Sequence, residues 1–325
     1  MQNDGVLVNN KLNILVIGAG SIGKRHHGNL LELGVQSHLM SWREGGHDRA
    51  SDLISSGQFD AAVIATATDI RLELIALCAA NDLPIYIEKP LAFDPVTLRQ
   101  IYEVAAPIKS RSMVGFMMRY HPAFQTLASA DLSGIYGFNF EIGHDVTQWR
   151  ENWTFSESYA SNPLGGGVLL DLCHEIDMAH CLFPGALDVD VASLGHTDFP
   201  NVDFASRVTM TGKDAPSGTV TMDYLAPVST RKIALRGIDA LYDFDLGAQS
   251  YQVRTANGVD QLDRPLDRNE MFIGIMRDFL ALAQGEQTSS TPHMPRMDRV
   301  FDSCDLIARA WQARKIHSSI TGIVT

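Results

Sequence analysis

Apolar runs alternate with helical stretches along residues 1–120. Leu12–Gly18, Ala61–Thr66, Ile85–Glu88 and Ser112–Phe116 read as strands, with Ser37–Ser41 a weaker one. Ile22–Leu33, a stretch around Arg49–Ser56, Arg71–Asn81 and Pro95–Ala106 read as helices. Strands separated by helices at this spacing predict crossover units and a parallel sheet.

After Pro122 the pattern changes. Helix-like Ala123–Ala130 gives way to strands at Ile135–Ile142, Val189–Leu194, Ser206–Thr211, Gly218–Leu225, Arg231–Arg236 and Ala240–Asp245. Residues 212–218, Gly-Lys-Asp-Ala-Pro-Ser-Gly, form a turn between two of them. One helix, about Gly167–Leu182, interrupts the strands, and Glu270–Gln284 and Arg296–Lys315 are helical. Consecutive strands predict an α+β unit with a largely antiparallel sheet. The 325 residues exceed the roughly 250–300 that one core serves, so two domains are expected, 1–120 and 121–325. The last helix, about residues 296–315, is placed to pack back on the first domain.

The first strand runs into Gly18-Ala-Gly20-Ser-Ile-Gly23. The first glycine permits a tight turn, the second lets backbone approach a pyrophosphate, and the third lets helix pack on strand. Ser21 and Ile22 open the helix whose N–H groups and positive dipole end face the phosphates. The motif lies between strand and helix, the context it requires, so the first domain reads as a Rossmann dinucleotide-binding unit of an α/β fold. An acid about 20 residues past the glycines would serve the ribose hydroxyls of NAD. Ser41 stands there instead, followed by Trp42 and Arg43. Serine does not repel a 2′-phosphate, Arg43 can pair with one, and Trp42 can cover the adenine. NADP(H) is favoured. NAD(H) is the alternative, with Trp42 and Arg43 as surface residues and Glu44 on the ribose.

Glu88-Lys89-Pro90 follows the apolar run Leu83–Ile87. A lysine at such a strand end can stand over a cofactor as acid or base; without other motifs it would be a solvated residue. Its ordinary pKa, about 10.4, makes it a poor base at neutral pH, and burial beside a nicotinium charge would lower it. Glu88 alternates to the other face, as a structural or cofactor-side carboxylate. Pro90 fixes the turn that aims Lys89.

Asn13–Gly23, Glu88-Lys89-Pro90 and Gly165–Asp177 (Gly-Gly-Gly-Val-Leu-Leu-Asp-Leu-Cys-His-Glu-Ile-Asp) occur in that order. With Met113–Pro122 as the strand leading into the second domain, the chain resembles the Gfo/Idh/MocA oxidoreductases over nearly its whole length. The resemblance implies an open second sheet, an active site between the domains, and association into dimers or tetramers through the sheet's exposed face. It implies Lys89 as the catalytic or orienting residue and backbone at Thr66, after the third strand, beside the cofactor. The family pattern sets an aspartate four residues before a histidine, whereas Asp171 and His174 are three apart. At ~100° per residue they lie about 60° apart on a helix, while Glu175 is about 40° from Asp171. His174 is favoured for proton transfer because imidazole titrates near neutrality, with Glu175 as the alternative. Asp171 binds a substrate hydroxyl or orients the histidine, and Gly165–Gly167 admit substrate close to backbone. Arg119 and Tyr120 follow the fifth strand where the cleft opens. Trp149, Arg150, Trp153 and Tyr159 suit a sugar ring or an anionic substituent, or pack between domains. Arg71 stands near a histidine of many members and takes no role from them.

The implied reaction is hydride transfer between NAD(P)(H) and a secondary alcohol or ketone of a sugar, cyclitol or sugar derivative. The alternatives are transient oxidation by retained NAD(H) during elimination or hydrolysis, and a non-catalytic nucleotide sensor. Composition narrows the partners. Net charge is −12 without a basic cluster, which argues against nucleic acid and anionic membrane. No apolar stretch nears the ~20 residues of a span, and Met1–Asn10 lacks signal-peptide features. Four cysteines without framework spacing fit reduced thiols and the cytoplasm. Cys173, His174, His180 and Cys181 diverge around a helix by about 80–120°, so no metal is expected.

Overall fold

The computed structural model describes residues 12–148, 154–185, 187–286 and 293–322. Five parallel strands form the first sheet: β1 (Asn13–Ile17), β2 (Gln36–Met40), β3 (Ala61–Ile64), β4 (Ile85–Ile87) and β5 (Met113–Val114), in the order β2-β1-β3-β4-β5. Strands β3 and β4 are buried at every position, which explains their unbroken apolar sequence. Helices α1 (Ser21–Glu32), α2 (Trp42–Ser55), α3 (Arg71–Ala80) and α4 (Pro95–Val104) make the crossovers. Asp94 caps α4 by accepting from Val96 N and Thr97 N, with Pro95 at the first turn. Helix α2 begins seven residues before the predicted stretch and bends at Gly46, whose φ is +59°.

From β5 a short 3₁₀ turn, Met117–Tyr120, leads to α5 (Pro122–Ala128) and a nine-stranded sheet. Its strands are β6 (Ile135–Gly143), β7 (Leu187–His196), β8 (Phe199–Gly212), β9 (Ser217–Asp223), β10 (Thr230–Gly237), β11 (Ala240–Asp245), β12 (Ser250–Thr255), β13 (Gly258–Leu262) and β14 (Arg314–Ile320). The order is β13-β12-β11-β10-β6-β9-β8-β7-β14, antiparallel except for β6/β9 and β7/β14. The fold is thus a Rossmann-like parallel sheet joined to a mixed, largely antiparallel one. Phe138, Phe140, Val208, Val220 and Ile233 point to the covered face, while Asn139, Thr209, Thr219 and Lys232 alternate away from it.

Three readings of the sequence are corrected. The predicted helix about Gly167–Leu182 is two, α6 (Val168–Asp171) and α7 (His174–Leu182), because Leu172 leaves helical geometry at φ −102°, ψ +23°. The last helix, α9 (Phe301–Ala313), starts later than Arg296 and gives way at Arg314 to β14. Strands β12 and β13 were missed, since β13 is exposed along most of its length and carries little apolar signal. Helix α8 (Arg268–Ala283) matches closely.

Both late helices return to the first layer. Phe272 of α8 sits 6.1 Å from His26 of α1, centroid to centroid, and Phe301 of α9 meets Tyr102 of α4 at 4.9 Å. One apolar cluster consequently runs through both sheets' packing layers. Lys89, just past the end of β4, thereby reaches Asp171 at the end of α6.

Candidate active site

The strand order reverses at β1/β3, the switch point where open α/β sheets bind ligands. Gly18 adopts φ +113° there, and a Cβ on it would lie 2.4 Å from the Ala65 carbonyl oxygen. A Cβ on Gly23 would meet the Gly18 carbonyl oxygen at 1.7 Å. These two glycines serve packing. Gly20 differs: it precedes α1, and a Cβ there would meet nothing within 4 Å. The first turn of α1 carries no acid and no side-chain cap. Ser21 and Ile22 lie in that turn, and the buried Thr66 Oγ1 has no hydrogen-bond partner among the described residues. These features fit a dinucleotide pyrophosphate. Ser41 ends β2 and precedes α2, Trp42 packs partly against the core, and Arg43 and Glu44 are exposed.

Lys89 emerges beyond β4, and its peptide bond to Pro90 is cis. Its Nζ donates to the Asp171 backbone oxygen and lies 3.8 Å from Asp171 Oδ1. Asp171 ends α6 and accepts from two phenols: Tyr159 OH on Oδ1, and Tyr224 OH on Oδ2 at 3.0 Å. Tyr159, expected from the sequence to meet a sugar ring or pack between domains, and Tyr224, just after β9, both contact the central carboxylate.

His174 begins α7 and is buried, its Nδ1 without a hydrogen-bond partner among the described residues. Burial, then Lys89, Arg231 and Arg268, hold its pKa well below the usual imidazole value. It is therefore neutral at pH 7, which corrects the expectation of titration near neutrality. Because the helix breaks before it, helical angles from Asp171 do not apply. Glu175 accepts from Arg231 Nε at 2.6 Å. Burial raises the Glu175 pKa despite that cation. Its carboxylate is engaged with β10, leaving the imidazole as the less committed group.

Glu88 turns away from Lys89, as alternation requires. His26 Nε2 sits 2.6 Å from Glu88 Oε1, and Tyr86 OH donates to the same oxygen at 3.4 Å. Arg71 is buried and joins the two loops of the site. Its Nη2 donates to Thr66 O at 2.8 Å, and its Nη1 donates to Glu88 O at 2.6 Å and to Pro90 O. Burial lowers the guanidinium pKa to about 10, against Glu88, so it stays charged at neutral pH. No sequence signal marked Arg71 or His26, because each acts through backbone or a buried partner.

Several expectations move away from the cleft. Arg119 makes a two-point ion pair with buried Asp177 at 2.9 and 2.6 Å, and Tyr120 OH donates to Asp278 at 2.6 Å. Both are committed to packing contacts. Trp149, Arg150 and Trp153 lie outside the described residues. The glycines at 165–167 are enforced by protein neighbours. A Cβ on Gly166 would meet the Asn162, Ala160 and Tyr159 carbonyl oxygens at 2.3–2.8 Å, and one on Gly167 would meet Asp203 Oδ1 at 2.0 Å. They hold the Tyr159 loop against α6. Among the described residues, no three His, Cys, Asp or Glu side chains form a metal group, and no helix is long and apolar enough to cross a membrane.

The Glu88–His26 pair yields a pH prediction. Burial pushes the Glu88 carboxyl up, but the hydrogen bond and charge of His26, with Lys89 and Arg71, outweigh it and hold the pKa below its ordinary value. A depressed acid stabilises the fold above its unfolded pKa, about 4.3, and loses that contribution as pH falls through the folded value. Glu88→Gln should thus be less stable than wild type at pH 7, with the gap narrowing below about pH 4. Urea melts across pH that show a constant gap would refute this.

No protein-family model matches the chain. The rhizopine catabolism protein MocA of Rhizobium meliloti is 26% identical over 181 residues, 51% of this chain and 56% of that one. An inositol 2-dehydrogenase of Rhizobium meliloti is 29% identical over 181 residues, 51% and 53% of the two chains. The chain thus spans about half the length of the curated relatives it matches. Among solved structures, an Agrobacterium radiobacter oxidoreductase in complex with NAD+, L-tartaric acid and magnesium superposes with TM-score 0.76 at 16% identity, covering 94% of this chain and 96% of that one. An inositol dehydrogenase homolog from Azotobacter vinelandii, complexed with NAD+, gives 0.76 at 14% identity, covering 96% and 97%. These structures establish likeness of fold.

Proposed function

We propose, from the premise that this chain is a relative of the Gfo/Idh/MocA oxidoreductases, a likeness its motifs, curated relatives and structural neighbours support, that it is an NAD(P)-dependent dehydrogenase acting on CH–OH groups. The reaction is hydride transfer between the nicotinamide and a secondary alcohol or ketone of a sugar, cyclitol or sugar derivative. Relatives named inositol 2-dehydrogenase, and a levoglucosan dehydrogenase neighbour with NADH, support that substrate class. One observation carries the reading: Lys89 Nζ meets Asp171 where the two sheets' loops converge, beside the glycine crevice. Residues 1–120 then form the nucleotide domain and 121–325 the substrate domain.

The bound nicotinamide supplies the hydride acceptor or donor. Gly20, Ser21 and Ile22 cradle the pyrophosphate in the turn that Gly18 and Gly23 make possible by their close packing, with Thr66 and the Glu88-Lys89 backbone at the nicotinamide end. Lys89 Nζ, as the neutral amine, takes the proton of the reacting hydroxyl in the oxidation direction and, as the ammonium, returns it to the oxygen in the reduction direction. Asp171, fixed by two phenols, orients substrate and lysine. His174, neutral, accepts a hydrogen bond from a second hydroxyl or passes the proton outward. Glu175 is a structural partner of Arg231. A homodimer or homotetramer through the open sheet face completes the reading.

NADP(H) is favoured over NAD(H), because Ser41 and Arg43 stand where an acid would select NAD. Fluorescence titration of NADPH and NADH, followed by a panel of polyols and sugars, tests the whole: absence of submillimolar nucleotide binding defeats it. Ser41→Asp is expected to weaken NADPH at least about tenfold, by like-charge repulsion, and to leave NADH nearly unchanged. Equal effects on both nucleotides would return Ser41 to the surface.

A further inference from the structure

Asp171 is carried by a helix too short to hold itself. Helix α6 closes two backbone bonds, Asp171 N to Gly167 O at 3.2 Å and Leu172 N to Val168 O at 2.9 Å. Isolated helices are marginal even at about 12–15 residues, so the stability of this turn comes from outside it. The outside partner is Asp203 of β8, an acid at a fully buried strand position. Its Oδ2 accepts from Leu169 N at 2.9 Å and from Ser206 Oγ at 2.8 Å, and Ser206 Oγ lies 2.8 Å from Ser193 Oγ. A side-chain oxygen placed on the free N–H groups of a helix start satisfies a donor that the helix itself cannot. The other oxygen, Oδ1, lies against Gly167, where a Cβ would stand 2.0 Å from it, and 3.3 Å from Arg314 Nε at the start of β14. The same cluster reaches the other half of the site. The Arg314 guanidinium lies 3.7 Å from the centre of the Trp311 ring. Trp311 Nε1 donates to Gly166 O at 3.2 Å, and its ring meets Phe93, four residues past Lys89, at 5.0 Å between centroids. A Cβ on Gly165 would stand 2.9 Å from that Phe93 ring.

We propose that Asp203 is a positioning residue for the reaction: it holds α6 by the Leu169 amide so that Asp171 meets Lys89, while Trp311 ties the same turn to the loop that leaves Lys89. This rests on the dehydrogenase reading and deepens it, by naming what sets the separation of its two polar partners. Leu169 and Asp171 belong to one helical turn, so a shift of the Leu169 amide is passed on to the carboxylate and to the backbone oxygen that Lys89 uses. Tyr159 and Tyr224 bind only the carboxylate oxygens and cannot replace that hold on the backbone. Displacements near 1 Å between reacting groups cost about 100-fold in rate. Asp203 is itself fully buried, so it acts on the reaction through α6 alone.

Amide hydrogen exchange and steady-state kinetics on the full chain test this, with the best substrate of the polyol and sugar panel. Asp203→Ala is expected to speed exchange of the Leu169, Asp171 and Leu172 amides at least about tenfold and to lower kcat at least about tenfold. KM and NADPH affinity should change less than about threefold. Asp203→Asn keeps an oxygen for the Leu169 amide and discards the charge, so it should restore slow exchange and most of kcat. A purely structural ion pair with Arg314 predicts otherwise: Asn would fail as Ala does, through a lower melting temperature, and kcat per folded molecule would match wild type in both. Where Asp203→Ala does not fold, Trp311→Phe serves in its place, since it removes the bond to Gly166 O and keeps a ring against Phe93. It should speed exchange of the same amides and lower kcat about threefold. Unchanged exchange in folded Asp203→Ala, or in Trp311→Phe where the alanine variant is unfolded, overturns the proposal. So does kcat per folded molecule equal to wild type, and either result leaves the dehydrogenase reading intact. Faster exchange in Asp203→Ala that Asp203→Asn reverses, without turnover of any panel compound by wild type, upholds the hold on α6 and sinks the dehydrogenase reading instead.

Discussion

Under the dehydrogenase proposal, Lys89→Met is expected to lower turnover of the best substrate in the polyol and sugar panel by roughly 10³-fold or more, with nucleotide affinity changed less than about threefold. Methionine keeps most of the apolar stem and removes the ammonium. The side chain is largely covered, and its polar contacts are to Asp171. Removing one partner of a buried pair usually leaves the other stranded. Here Tyr159 and Tyr224 still donate to the Asp171 carboxylate, so the fold should tolerate the change. The glycine crevice, held by backbone close to Ala65, does not depend on the lysine. Thermal melts and NADPH titration therefore serve as controls for steady-state assays. Full activity of the variant would end the proton-transfer role. A large loss of NADPH affinity would make Lys89 a cofactor residue first.

The first sheet was legible because its signals are local. A doubly covered strand is a short apolar run, and Gly18–Gly23 occupies a few consecutive residues with one steric purpose. The second sheet was less so. Strand β14 follows a helix without a break because Arg314 starts it by pairing with Val191 of β7, far away in sequence. Exposed β13 is held by its pairing with β12, not by apolar burial. The Asp171–His174 geometry escaped the helical wheel because the helix breaks at Leu172, where no glycine or proline announces it. Arg119 was misplaced for a related reason: an arginine after a strand marks a cleft as readily as a buried ion pair, and Asp177 decides between them only in three dimensions.

Arg71 is the residue that sequence reading set aside and the structure makes central, and Arg71→Met is expected to cost about 3–5 kcal/mol of stability. Its guanidinium serves the carbonyls of Thr66, Glu88 and Pro90, all beside the crevice. Each carbonyl left buried without a donor costs about 1–3 kcal/mol, less whatever relaxation restores. The same bonds set the distance between the loop after β3 and the loop carrying Lys89, so misalignment is expected even in molecules that stay folded. Shifts near 1 Å between reacting groups cost about 100-fold in rate. At a temperature where circular dichroism shows the variant folded, kcat should fall at least about tenfold, and KM should change less. Arg71→Lys separates charge from geometry. It keeps the cation but cannot span three carbonyls with a fixed fork, so it should recover part of the stability and little of kcat. If Arg71→Lys restored both, the charge beside Glu88 would be the operative feature. If Arg71→Met left both unchanged, the two loops would be positioned independently, and the site would be organised from Asp171 instead.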